Sequence, residues 1–329
     1  MDKRQGTVRE IWENLPVWFL LIEGWALLHT TLSNVPDSAF LAVGIPRAPF
    51  ALLQLPSSLW FYLFYRKRRP RTAVIAAFVV PFLIVLVSFG LPGSRIILPP
   101  STLRLLYEIS ALFWTVGLAL FALLREKKGA FAAFFGVALV YGVLLENSGI
   151  ILGFFEETGF HAHLGPLPAP LATTIGWCFI LFCCVWTAKR LAGAGAEDGP
   201  ASSPLRMALL TAAMAVSLDL QIDALASLPG VFWRWNPLLP PFWFGVPFCN
   251  YAAWAGAIFA FALFYYSSSA HPGPGPARRN IRLLALVPVM AVLAGLIWIL
   301  LMLAYEAIHR AGGAAFPTLK ILGRFFCGL

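Results

Sequence analysis

Residues 206–226 read RMALLTAAMAVSLDLQIDALA. An apolar run of about 20 residues is what an α-helix needs to cross a hydrocarbon core of ~30 Å. Yet this run carries Asp219 and Asp223 in its last third. Four residues apart, the two side chains fall on one helix face, a turn from each other. A charge near the bilayer centre costs roughly 2.5–3.5 kcal/mol on insertion scales, so two acids in one span need a reason.

The rest of the chain places this run among others like it. Of 329 residues, 60% are hydrophobic and 12% charged, against about 25% charged in soluble domains. Apolar runs recur near 15–33, 48–65, 72–91, 104–124, 130–155, 168–187, 206–226, 244–266 and 283–306. The expected fold is therefore all-α, a polytopic integral membrane helix bundle of about 8–9 transmembrane helices. It forms a single transmembrane domain over 1–329. Pro46, Pro49 and Pro56 crowd the second run and weaken it as a regular helix. The first run lacks a small-residue cleavage site and is expected to stay as a span.

Of the 24 Lys and Arg residues, 17 fall in alternate segments: the N-terminus, 66–71, 125–128, 188–206 and 267–282. The positive-inside rule makes those segments cytoplasmic, with the N-terminus inside. The net charge of +9 then reflects topology and contact with anionic membrane lipid, with no basic domain for nucleic acid. Segments 188–205 and 267–282 read as polar cytoplasmic linkers, and 307–329 as an interfacial tail. Cys178, Cys183, Cys184, Cys249 and Cys327 have neither a disulfide framework nor a zinc spacing.

On this topology Glu146, Asp219, Asp223, Glu108 and Asn250 share the outer half of the bilayer, with Glu23 just below. Any one such carboxyl could cap a helix or bond a backbone group. Glu146, Asp219 and Asp223 together have only the terminal Arg206 as a cation in their spans. At least one of the three is expected to keep its proton, since like charges repel and hydration is lost. Gly149 and Gly153 follow Glu146 at helical spacing and offer a smooth face to a helix or a flat ligand. In the loop FEETGFHAHLGP, 155–166, Glu156, Glu157, His161 and His163 read as a wetted surface segment, and no metal is expected.

Residues 229–254, PGVFWRWNPLLPPFWFGVPFCNYAAW, hold four tryptophans and five prolines. An interfacial aromatic belt accounts for part of this. Gly245-Val246-Pro247 then opens a helix carrying Asn250 and Trp254 one turn apart. An aromatic mouth above buried acids suits a long apolar substrate with one reactive end.

These residues resemble the membrane carotenoid-biosynthesis family that includes γ-carotene 1′,2′-hydratases and bisanhydrobacterioruberin hydratases. The family pattern corresponds here to Glu146-Asn147-Ser148-Gly149, Leu164-Gly165-Pro166, Trp177, Asp219 with Asp223, Trp233-Arg234-Trp235, and Gly245 through Trp254. It covers mainly 140–256. Ala224 stands where the family has proline, and Phe160, His161 and His163 replace a tyrosine-rich loop.

The resemblance implies a bacterial inner-membrane enzyme that adds water to the terminal C1–C2 double bond of an acyclic or monocyclic carotenoid. It would need no cofactor and would act beside other enzymes of the pathway. Asp219 or Asp223 would give the proton, while the other, or Glu146, would orient or deprotonate water. Asn250 would hold that water, and Trp233, Trp235 and Trp254 would shield a cation. A proton-coupled transporter and a non-catalytic isoprenoid or carotenoid binder remain as the other classes. The first would show inverted repeats, which are not evident, and the second would not need the acids.

Overall fold

The computed structural model describes residues 3–90, 97–125, 128–193, 203–229, 231–270 and 275–310. Its helices are α1 (Lys3–Glu13), α2 (Leu15–Asn34), α3 (Asp37–Ala42), α4 (Leu55–Tyr65), α5 (Pro70–Val74), α6 (Val80–Gly90), α7 (Pro100–Arg125), α8 (Lys128–Ile151), α9 (Leu171–Leu191), α10 (Pro204–Ala226), α11 (Phe248–Ala270), α12 (Pro276–Ala285) and α13 (Val287–Arg310). Two antiparallel strand pairs join loops at one end: β1 (Phe155–Glu156) with β2 (Arg234–Trp235), and β3 (Pro241–Trp243) with β4 (Val246–Pro247). Eight of the described helical runs are long and apolar enough to cross a membrane. The chain is an all-α polytopic membrane protein.

The proline-crowded second run is not among those eight. It starts as a 3-10 helix, Ala48–Gln54, and continues as α4. A 3-10 helix rises about 2.0 Å per residue and an α-helix about 1.5 Å, so together they reach about 30 Å. Arg69, just beyond α4, pairs with Glu10 at 3.5 Å, which returns the chain to the end where α2 begins. The run therefore covers the height of the bundle despite its prolines. Proline acts again at Pro81, which has no N–H for the carbonyl of Ala77. Ser58 of α4 hydrogen-bonds that carbonyl instead, and the π turn Ile75–Val79 joining α5 to α6 lies beside it.

Helix α9 is the hub. Nearly all of its side chains from Ala172 to Ala188 are buried, including Cys178, Cys183 and Cys184. The outer helices α7 and α13 turn leucines outward, among them Leu112, Leu120, Leu296 and Leu300, as lipid-facing spans do. The basic segments meet at one end: Arg125 pairs with Glu13 at 3.1 Å, and Arg9 pairs with Glu13 at 2.9 Å. These two guanidinium groups hold the Glu13 carboxyl below its ordinary range through their hydrogen bonds. Arg68 lies over Phe64 and Arg190 over Trp186, and the two rings stack. The β1–β2 and β3–β4 pairs lie at the other end. Of the expected linkers, residues 194–202 and 271–274 lie outside the described residues, as does the tail beyond Arg310 and Cys327 within it.

Candidate functional site

Helix α10 packs most of its length against α11, and the two acids of α10 face that seam. Asp219 and Asp223 are both buried, and their carboxyls adjoin. Asn250 of α11 bridges them: its Nδ2 donates to Asp219 Oδ2 at 2.7 Å and also to Asp223 Oδ2. Among the described residues Asp219 Oδ1 has no hydrogen-bond partner, and neither has the hydroxyl of neighbouring Tyr251, although both are buried. None of the ion pairs among the described residues involves either aspartate.

The Gly-Val-Pro-x-x-Asn spacing has a mechanical basis. Phe244 and Gly245 take φ of +50° and +89°, a left-handed turn that glycine adopts without strain. That turn reverses β3 into β4, and α11 begins at once, which puts Asn250 in its first helical turn. Trp243 ties the turn to α10, its Nε1 donating to the carbonyl of Leu220 at 3.0 Å. In an unbroken helix that carbonyl serves the N–H of residue 224. A proline at 224 would leave it to Trp243 alone, so Ala224 departs from the family pattern without altering this anchor.

Glu146 of α8 lies on the other side of the site. Trp177 of α9 donates Nε1 to Glu146 Oε2 at 2.5 Å. Gly142 permits that approach, since a Cβ there would sit 2.7 Å from Trp177 Cβ and 3.0 Å from the Thr174 carbonyl. The rings of Trp177 and Trp254 lie 4.6 Å apart at 32°.

Glu157 corrects the wetted-loop expectation. Strand β1 pairs Glu156 with Arg234 and Phe155 with Trp235. Glu156 points out, with its carboxyl 3.6 Å from Arg234, and the next side chain points in. Glu157 is only 8% exposed. It accepts from Thr173 Oγ1 at 3.1 Å, and its carboxyl adjoins that of Glu146. Burial, and after it the neighbouring Glu146 charge, pushes the Glu157 carboxyl well above its ordinary range. The site thus has two carboxyl pairs, and sequence reasoning named three of the four groups.

A cavity of about 480 Å³ opens on both pairs. Of the expected site residues, Glu146, Gly149, Asp223, Trp233, Trp235, Asn250 and Trp254 line it, while Asp219 and Gly153 do not. Asp219 stands behind Asp223. Gly153 ends α8 with a φ of +75°, a helix terminator rather than part of a smooth face. Gly149 faces the ring of Phe155 from its own chain, not another helix. The lining also takes in Tyr107, Trp177 and Trp298, and Glu23, whose Oε1 accepts from Ser110 Oγ at 3.0 Å. Glu108 is turned away, its Oε2 2.7 Å from His161 Nδ1, and it also accepts the backbone N–H groups of His161 and Ala162. Among the described residues no group of three or more His, Cys, Asp or Glu side chains is arranged to hold a metal ion.

A family model described as carotenoid biosynthesis protein matches residues 107–318, well over half of the chain. The match takes in all four carboxyl groups of the two pairs. Comparison with curated proteins and with solved structures gave no match.

Proposed function

The chain belongs to the carotenoid biosynthesis protein family, and from that premise we propose that it adds water across the terminal C1–C2 double bond of an acyclic or monocyclic carotenoid. One observation carries the reading: Asp223, bridged by Asn250 to the adjoining Asp219 and paired with no cation among the described residues, borders an apolar cavity large enough for the end of an isoprenoid. A shared proton lets such a pair sit in a low-dielectric site with one charge instead of two. Asp223 lines the cavity and donates that proton to C2, leaving a tertiary cation at C1. Water then attacks C1, and its released proton passes to Glu146, held in place by Trp177. Proton transfer among the carboxyls restores the starting state, so alkene plus water gives alcohol with nothing left over. Asn250 orients the water, and the faces of Trp177 and Trp254 shield the cation. Trp233 and Trp235 close the mouth.

The positive-inside rule supports a cytoplasmic N-terminus, which puts this site in the outer half of a bacterial inner membrane. Transport and non-catalytic binding are the competing classes, and one experiment separates them from hydration. Cells that make an acyclic or monocyclic carotenoid are given this gene, and the extracted pigments are weighed by mass spectrometry. A product heavier by one water is expected. Unchanged pigment would rule the enzyme reading out.

A further inference from the structure

The cavity is smaller than the molecule proposed for it. At about 480 Å³ it falls within the roughly 300–1,000 Å³ that encloses a drug-sized ligand. A carotenoid is about as long as the ~30 Å hydrocarbon core, so most of it must lie elsewhere. The walls are unequal. On the side of α2 and α7 the lining includes the Glu23 carboxyl and the Ser110 hydroxyl, which bond each other and which a hydrocarbon chain would close off from water. Along α13 it is apolar, formed by Ala291, Ala294, Gly295 and the ring of Trp298. Leu144 of α8 also lines the cavity and is 40% exposed. Gly295 lines the same side, and a Cβ at Gly295 would meet nothing within 4 Å. Trp298 is fixed beside it by donation from Nε1 to the Cys249 carbonyl at 3.0 Å.

We propose that the substrate's chain leaves the site between α8 and α13, past Leu144, Ala291, Gly295 and Trp298. Only the reacting end is then enclosed, and the far end stays in lipid. This rests on the reading above for the position of that end at Asp223. The protein reads the end group of a linear isoprenoid and is blind to its far end, so a molecule with two competent ends reacts at each by binding twice.

The test uses the full chain in lipid nanodiscs and polyenes that share an acyclic reacting end but carry acyclic, cyclic or hydroxylated far ends. Binding is followed by quenching of tryptophan fluorescence, and turnover by mass. Affinity and turnover are expected to agree within about threefold across the series. Gly295→Phe should weaken both for every member by roughly tenfold or more, the effect of bulk in a fitted hydrophobic pocket. Ala291→Phe, about one turn away on the same wall, is the second block should Gly295→Phe not fold. A far-end change that moves affinity by more than about tenfold, or unaltered binding with phenylalanine at either position, overturns the route. If quenching follows the expected pattern but no polyene gains water, the hydration reading falls and the chain route stands.

Discussion

Helix α10 carries polar side chains toward two different neighbours at nearly the same depth, and the two sets are completed in different ways. Toward α2 and α4, Gln221 donates to the Gly24 carbonyl at 3.0 Å and meets the Gln54 amide at 3.0 Å. Gln54 Nε2 in turn donates to Ser57 Oγ at 2.9 Å. Gly24 allows this crowding, since a Cβ there would lie 2.7 Å from Ser57 Oγ. Trp60 donates to Ser217 on the same helix. These groups are neutral, mutually paired and away from the cavity. Toward α11, the aspartates are acids bridged by a single asparagine, with Asp219 Oδ1 and the Tyr251 hydroxyl unpartnered among the described residues and Asp223 open to the cavity. A buried network with every member paired specifies one arrangement of helices. An incomplete one beside a cavity leaves atoms for something else to meet.

The largest expected effect breaks the second set. Asp223→Asn keeps the shape of the side chain and removes its acid. Turnover should fall by about 10²–10⁴-fold, the usual worth of a positioned general acid or base. Thermal unfolding in the same detergent should stay close to the wild type, because an amide can still bond Asn250 and Asp219. Turnover within about threefold of wild type would take the proton-donor role from Asp223. Gln221→Leu should do the reverse. It takes the donor away from the buried Gln54 amide oxygen, at a cost of about 1–3 kcal/mol, seen as a lower unfolding midpoint. Turnover per folded molecule should hold. Equal loss of stability and turnover in both variants would erase the distinction between the two sets.

Much of this contrast could be read before the structure. The spacing of Asp219 and Asp223 places them on one face, and the Gly245 turn followed by Pro247 announces a helix start with Asn250 in its first turn. Those features depend on neighbours in the chain. What escaped depends on distant ones. Residues 283–304 are apolar throughout, so nothing in them marks Gly295 and Trp298 as a cavity wall. Tyr107 looks like any aromatic near the end of a span. Glu157 is hidden differently: a charged residue in a Gly-containing loop reads as solvated, and only pairing of β1 with Arg234-Trp235, some eighty residues on, turns it inward. The period-2 alternation of Phe155-Glu156-Glu157 was the available signal, but two residues of strand are too short to rely on.

The smallest expected effect sharpens the comparison by asking whether the second pair is as incomplete as the first. Burial and the Glu146 charge raise the Glu157 carboxyl well above its unfolded value. Between those two values the folded protein holds a proton that the unfolded chain has released. Stability must therefore be greatest below the ordinary carboxylate range and fall as pH rises toward the raised value. Glu157→Gln removes that proton from the balance while keeping a donor for Glu146 and an acceptor for Thr173. The variant should lose this part of the downward slope of unfolding midpoint against pH, and should approach or exceed the wild type at the alkaline end. An identical slope in both proteins would mean that Glu157 is ionised and solvated in the folded state. The loop carboxyl would then return to the surface role its sequence first implied, leaving the Asn250-bridged aspartates as the sole buried pair at the site.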